Sequence, residues 1–416
     1  MKYLKINTPL LVSSLTLIFS HNSLAQDVDF SSYFRAGAGS SSSSGAMVSY
    51  NKQKVGRLGN EDDIYLGLGL GTQLMKTEQH DVYFQTRMVY KSDGANDWES
   101  INDSDTDIMF KEVNVAVKGL ITALPDTTVW AGKRYNQRHD NHIIDTYYWN
   151  VSGTGGGIDY IPLGDGLLSV SAIRSDRKSQ NFDDPGTVNN KLNVNILDAR
   201  YKGINLWDIA ELEVGLDYGM PNESDEFTLQ TQNGLMATGL MTSGGKWGKN
   251  NTVFQYGTNG FSKALFNDHA GKNYYAEVQK DASAYRVMNY GLLNISDSVV
   301  IAHSLYYTSS INDIERDQTT TQKTFSAVAR PEYRWDDFNK TIMEIGYFDA
   351  TTAQGEDQAG SKITLAQAWA PSKSFWARPE LRVFATYFHD YENQNAFGTG
   401  NDTEFQVGIQ VEGWFK

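Results

Sequence analysis

The sequence predicts an all-β chain, and within that class a β-barrel that crosses a membrane through its strands. Three observations predict it. Apolar and polar residues alternate with a period of two from one end of the chain to the other. The composition joins 37 Gly to only 8 Pro, with 9 Trp, 23 Tyr and 19 Phe, while the mean hydropathy is −0.46. A chain that sets only alternate residues against lipid hides its hydrophobicity in this way. Finally, the first residues have the build of an export signal.

In order along the chain, Lys2 and Lys5 precede an apolar run over 10–19, and Ser23, Leu24 and Ala25 precede Gln26. Residues 1–25 read as a secretory signal peptide, leaving 26–416 as one barrel domain. The apolar run is shorter than the roughly 18–20 residues of a membrane-spanning helix, and no later stretch approaches that length. The chain has no cysteine, which excludes a disulfide scaffold, a thiolate metal site and a cysteine nucleophile. The net charge of −14 becomes more negative once Lys2 and Lys5 are removed. Nucleic acid is therefore excluded as a partner.

The alternation then assigns faces. In the first strand Phe30, Ser32, Phe34 and Ala36 share one side, and Asp29, Ser31, Tyr33 and Arg35 the other. In the second, Ile64, Leu66, Leu68 and Leu70 oppose Asp63, Tyr65, Gly67 and Gly69. Leu212, Val214, Leu216 and Tyr218 alternate with Glu211, Glu213, Gly215 and Asp217. Ala327, Ala329, Pro331, Tyr333 and Trp335 alternate with Arg330, Glu332 and Arg334. The last strand sets Phe405, Val407, Ile409 and Val411 against Glu404, Gln406, Gly408, Gln410, Glu412 and Trp414.

A soluble β-sandwich or solenoid fits the same strings, with the apolar face turned inward. The export signal, the lack of a short repeat, and aromatics at strand ends (Tyr83, Phe84, Tyr218, Tyr333, Trp335, Tyr347 and Phe415) favour the membrane barrel, whose interfaces carry aromatic girdles. Polar runs at 40–45, 96–107, 176–190, 222–233, 309–321 and 392–403 read as loops. No Pro-rich or low-complexity linker divides the strands.

One segment stands apart. Residues 133–157, KRYNQRHDNHIIDTYYWNVSGTGGG, are too polar for a core and too aromatic for an idle loop. Rings stack on the C–H faces of sugars and charged groups hydrogen-bond their edges, so the stretch reads as a sugar-binding surface. A surface loop with a few buried Tyr anchors is the plain alternative.

Seven segments give the chain a resemblance to a known family. They are VDFSSYFRAG at 28–37, RLGNE at 57–61, NDWES at 96–100, WAGKRYNQRHDNHIIDTYYW at 130–149, MEIGY at 343–347, KITLAQAW at 362–369 and WARPELRVFATY at 376–387. Together they resemble the maltoporins, trimeric sugar-specific porins of Gram-negative outer membranes. The resemblance covers essentially the whole mature chain. It implies an 18-stranded barrel, a homotrimer with one pore per subunit, and an inward-folded third loop, here the segment around Asp145.

It further implies a greasy slide of aromatics at Tyr33, Tyr65, Trp98, Trp376 and Trp414, with Trp98 on a second loop that reaches a neighbouring subunit's pore. Trp247 is the candidate for the sixth position, where the family has a Phe. Tyr147 matches the tyrosine facing the slide at the constriction. Arg35, Arg57, Lys111, Arg138, His142 and Asp145 match the polar tracks. Strand parity agrees, since Tyr33, Tyr65 and Trp414 fall on the polar face, and Trp376 shares a phase with Arg378, Glu380 and Arg382. The chain departs from the family pattern at Lys111, an arginine there, at Gly67, a glutamate there, and at Asn150, an aspartate there. It also lacks the family's first-loop disulfide.

Other chemistry carries less weight. Glu61 and Asp63 share a strand face and could flank a glycosidic bond, but lumen charges are the ordinary reading. Asp103, Asp105 and Asp107 imitate a calcium loop, yet Ile108 replaces its Gly and Asn114 its final Glu. His139 and His142 lack a third zinc ligand.

The expected function is facilitated diffusion of maltose and maltodextrins through an outer-membrane channel, with no enzyme activity, cofactor or metal. Its partners are those sugars, two further copies of the chain, outer-membrane lipid and a periplasmic sugar-binding protein. A porin for a β-glucoside or sucrose, or a secreted carbohydrate-binding or carbohydrate-cleaving β protein, are the alternatives.

Overall fold

The computed structural model describes residues 27–93, 100, 106–178, 191–222, 232–275, 278, 280–315 and 318–415. The expected signal segment 1–25 lies outside them. Eighteen antiparallel strands close into a barrel. The first strand, Val28–Ser41, pairs with Ile64–Lys76 on one side and with the last strand, Thr403–Phe415, on the other. Tyr33 stands between Gly67 and Trp414 in that register. Among the described residues closure leaves no barrel strand without a neighbour on either side, the condition for sheet in a bilayer. Short turns such as 163–166 and 245–248 join strands at one end, and longer connections such as 41–64, 134–153 and 258–283 join them at the other.

The burial pattern separates the membrane barrel from the soluble sandwich. Leu216 is 52% exposed, Leu365 56% and Ile409 54%, whereas Asp217, Glu344 and Lys362 are 0% exposed. A water-soluble protein does the reverse, because exposed apolar surface and buried unpaired charge are both unfavourable in water. Here the outward face needs a hydrocarbon neighbour and the inward face neutralises itself. Arg330 donates to Glu344 at 2.6 Å, and the Lys362 ammonium bonds the same carboxylate.

Those inner charges also hold a loop inside the bore. In the connection after the first strand, the Leu58 amide donates to Glu344 at 2.9 Å and its carbonyl accepts from Lys362 at 2.7 Å. The Gly59 carbonyl accepts from Gln406 at 2.7 Å and Thr386 at 3.1 Å. Gly59 has φ +56°, and a Cβ there would lie 2.4 Å from the Thr386 hydroxyl. Only glycine lets the RLGNE turn approach the wall so closely.

The segment 135–152 also folds inward, and it has an apolar side. Residues 133–134 finish the strand Thr128–Arg134 and residues 153–157 begin Gly153–Leu163, so the in-folded part is shorter than the composition outlined. Nor is it too polar for a core. Ile143, Ile144, Tyr148, Trp149 and Val151 are buried in the largest apolar cluster, against Val194, Ile196, Met236, Leu240, Val253 and Met288 of the wall. A third segment, 259–275, lies beside it, with the Tyr147 amide on the Asp268 carbonyl at 2.7 Å and the Asn150 amide on the Ala270 carbonyl at 2.9 Å. The loops thus cover an apolar part of the lumen wall, in which Asp217, Arg200 and Arg286 are also buried.

One girdle residue is corrected. Tyr83 and Phe84 are adjacent and cannot both face lipid; the Tyr83 hydroxyl donates to Asp29 at 2.6 Å on the lumen side, over Gly71.

Candidate functional site: an aromatic run through the constriction

Two cavities lie along the bore. One, of about 720 Å³, opens on the long-loop side and is lined by Tyr33, Tyr65, Trp376 and Trp414 together with Arg35, Arg57, Lys111, Arg138, His142, Asp145 and Tyr147. The other, of about 480 Å³, opens on the short-turn side beside Lys249, Leu292 and Phe375. Asp140, His142 and Trp376 line both, so these side chains stand at the neck between them.

Four aromatics make a continuous run. Tyr65 and Tyr33 have centroids 5.7 Å apart, Tyr33 and Trp414 are stacked at 6.4 Å with 13° between planes, and Trp414 and Trp376 are 6.3 Å apart. The register explains the first three, since Tyr33 pairs with Trp414 and Arg35 with Tyr65 on neighbouring strands. Trp376 arrives differently, from the turn before the strand Glu380–Asp390. Its ring edges against the buried Phe375 at 4.9 Å and is itself 48% exposed. An indole so exposed inside a pore fills no core.

The charges beside the run are fixed by one another. Arg35 makes two 2.7 Å bonds to Asp63 and lies 5.3 Å over Tyr65. Arg57 donates to the Tyr33 hydroxyl at 2.7 Å, bonds Glu61 at 2.9 Å and reaches Glu412 at 3.1 Å. Glu412 also accepts from Tyr33 at 3.0 Å, from Arg378 at 2.9 Å and from Arg382 at 2.8 Å. Glu61 and Asp63 are therefore held in ion pairs, as lumen charges. Beside these charges, Asp145 sits at φ +49° after the short helix His142–Ile144, pairs with Lys52 at 2.9 Å and lies 3.8 Å from Arg35. Burial opposes its charge, but Arg57, Lys52 and Arg35 outweigh burial and hold its carboxyl below the usual range.

His142 is neutral for a readable reason. Burial drives its pKa well below the ordinary imidazole value; Glu412 opposes this, and Arg57 adds to it. Arg57 Nη1 lies 3.3 Å from His142 Nδ1, and a guanidinium can only donate. Nδ1 is then the acceptor and the proton is on Nε2, which has no hydrogen-bond partner among the described residues. His139 turns away from His142 to meet Glu213 at 3.1 Å, so the two imidazoles do not converge on a metal.

Of the thirteen residues expected at the site, eleven line the larger cavity. Trp98 lies outside the described residues, as do Asp103 and Asp105 of the calcium-like run. Trp247 is not brought to either cavity. It occupies the turn between strands Gly234–Gly245 and Gly248–Thr258 and is 41% exposed. Sequence reasoning missed Glu412 and Lys52 as ion-pair partners, Tyr135, which lines the cavity beside Tyr65, and His269 and Lys272 of the third in-folded segment. Alternation placed Glu412 on the wet face and so carried a signal; His269 and Lys272 had none, because nothing local marks a loop as in-folded.

A family model described as LamB porin matches residues 28–415. A maltoporin of Photobacterium profundum is 39% identical over 98% of this chain and 99% of its own length. Maltoporin 1 of Aeromonas salmonicida is 38% identical over 98% and 99%. Among solved structures, the outer membrane channel DcaP of Acinetobacter baumannii superposes with a TM-score of 0.54 at 11% identity, over 95% of this chain and 99% of that one. At that identity the likeness is one of fold.

Proposed function

The chain belongs to the LamB porin family, sugar-specific channels of the Gram-negative outer membrane, and we propose that its pore conducts maltose and maltodextrins along Tyr65, Tyr33, Trp414 and Trp376. The observation that carries this reading is the unbroken run of four rings exposed to the lumen and bordered by charge. A glucosyl ring slides with its C–H face on the aromatics while its hydroxyls exchange partners at the edges. Each hydroxyl leaving water needs a new bond at once, since a stranded polar group costs roughly 1–3 kcal/mol. The donor at Arg138 and the acceptor at Asp145, both lining the cavity, supply such bonds beside the rings. No single station holds the sugar strongly, as conduction requires. Movement follows the concentration gradient, with no covalent step and no cofactor.

The export segment 1–25, the homotrimer and the reach of Trp98 into a neighbouring pore belong to this reading, as does a periplasmic sugar-binding protein that receives the product. The test is block of ion conductance by maltotriose in planar bilayers. Graded, saturable block supports the proposal. Block by sucrose or a β-glucoside with none by maltotriose overturns the choice of sugar.

A further inference from the structure

The cations of the larger cavity fall into two groups. Arg35, Arg57 and Arg87 are each paired, with Asp63, with Glu61 and Glu412, and with Glu112 at 2.8 Å. Lys111, Arg138 and Lys272 line the same cavity, and among the described residues no carboxylate lies within ion-pair distance of any of them. They come from separate elements, Lys111 from the strand Thr106–Lys118 and the other two from the in-folded segments 135–152 and 259–275.

Arg138 is held by rings instead of acids. Its guanidinium carbon is 3.6 Å from the Tyr135 centroid and 4.4 Å from that of Tyr147. Stacking fixes the plane and leaves the N–H edge unneutralised and free to meet a ligand. Burial pushes the Lys272 ammonium down, and Arg138 and Lys133 push it further, with Asp268 opposing. Like charges gathered with no acid in direct contact behave so. The acids nearby stay beyond ion-pair distance: Asp107 acts on Lys111, Asp140 on Arg138 and Asp268 on Lys272 only from further off, Asp145 is engaged by Lys52, and the cavity positions 67 and 150 are Gly and Asn. In a chain of net charge −14, this patch is a local reversal of sign inside a narrow bore, where the field is concentrated.

We propose that Lys111, Arg138 and Lys272 form a subsite for an anionic group carried on a glucosyl ring, so that the pore selects acidic oligosaccharides over neutral ones. The inference rests on the slide reading for the sugar body and adds the charge. The ring stacks at Tyr65 and Tyr33 while a phosphate or carboxylate substituent faces the three cations, which gain the counter-ion the fold does not give them.

The test compares maltotriose, maltotriose 6-phosphate and inorganic phosphate as blockers of the full-length reconstituted channel. The phosphorylated sugar should block at a concentration about tenfold lower than maltotriose, equal to about 1.4 kcal/mol. That ratio should shrink as salt shortens the Debye length. Lys272→Gln should bring the ratio towards one, and Lys272→Arg should restore it. Gly67→Glu gives a second route. A Cβ there meets nothing closer than 3.6 Å, and the new carboxylate supplies the missing counter-ion and should lower the same ratio.

Equal block by both sugars, or a ratio indifferent to Lys272→Gln and Gly67→Glu, overturns the subsite. Inorganic phosphate blocking as well as the sugar phosphate also overturns it, since the patch would then be a free-anion site. Failure of maltotriose itself, with block by the phosphorylated sugar kept, would strike the neutral-maltodextrin reading and leave the subsite standing.

Discussion

Trp376→Ala separates a sugar slide from a merely aromatic pore. The ring is 48% exposed, so truncation opens no cavity in a core, and the strand register beneath it is untouched. What is lost is the link across the neck, where the indole lies 6.3 Å from Trp414 and 5.3 Å from His142. A glucosyl face covering about 60 Å² of that ring gains about 1.5 kcal/mol at about 25 cal/mol per Å². Losing it weakens maltotriose binding roughly tenfold. Hydrated potassium and chloride gain nothing from stacking, so removing the ring leaves their conductance unchanged or raises it by widening the neck. Titrating maltotriose against single-channel current in planar bilayers reads both quantities at once. An unchanged half-blocking concentration, or equal loss of block and conductance, would refute the slide.

Other perturbations test the supports of the site. Asp145→Asn removes the partner of Lys52 at 2.9 Å and should shift the reversal potential in a KCl gradient towards anion selectivity; no shift would remove Asp145 from the electrostatics of the bore. Trp149→Ala removes a fully buried indole that donates to Asp217 at 3.1 Å, a loss of about 3–5 kcal/mol for such a side chain. The in-folded segment should loosen, seen as noisier open-channel current and faster proteolysis within 135–152. Maltotriose block should stay flat between about pH 5 and 8, the window in which an ordinary imidazole titrates. His142 is held neutral and Asp145 charged there, and a midpoint near the usual imidazole value that is lost in His142→Gln would contradict the neutral His142. The sign for stability follows: a depressed imidazole pKa favours the in-folded loop above the ordinary value, and that preference weakens as pH falls below it. Trp247→Ala should alter block by no more than the about 0.5 kcal/mol of a surface change, and a larger loss would return Trp247 to the slide.

How far the site could be read in advance depended on which structural rule placed each residue. Tyr33, Tyr65 and Trp414 sit on regular strands, where a side chain's face follows from counting by two, so their lumen position was legible once one face was known to be wet. Tyr83 obeyed the same rule and escaped the girdle because of it. For Trp376 the parity with Arg378, Glu380 and Arg382 did not apply, since its strand begins only at Glu380; Trp376 and the in-folded 135–152 were placed by resemblance, because a loop's direction depends on contacts far away in sequence, such as Trp149 with Asp217 and Leu58 with Lys362. His269 and Lys272 had neither parity nor motif, and so the third in-folded segment was invisible. The apolar inner face formed by Val194, Ile196, Val253 and Met288 was hidden for a related reason. Its partner is the buried side of the loop, whose Ile143, Ile144, Tyr148 and Trp149 read as polar-loop company when their neighbours were His, Asp and Asn.

The division of the bore into two kinds of charge explains why binding can be specific without becoming a trap. Around Glu412 nearly every donor is committed to another side chain, with Tyr33, Arg57, Arg378 and Arg382 all converging on one carboxylate. Such a network keeps the rings of Tyr33 and Trp414 in place and offers a passing hydroxyl few free bonds. Stiffness there comes at little cost in stickiness, because a satisfied donor gains almost nothing by exchanging one acceptor for another. Across the lumen, Arg138 between Tyr135 and Tyr147 is held as firmly, yet by π faces that leave its hydrogen-bonding edge open. Recognition is thereby concentrated on the in-folded segments, while the slide wall supplies guidance. A variant that frees the slide-side donors, such as Glu412→Gln, should therefore slow sugar release more than it changes entry, and equal effects on the two rates in current-noise analysis would refute this division of labour.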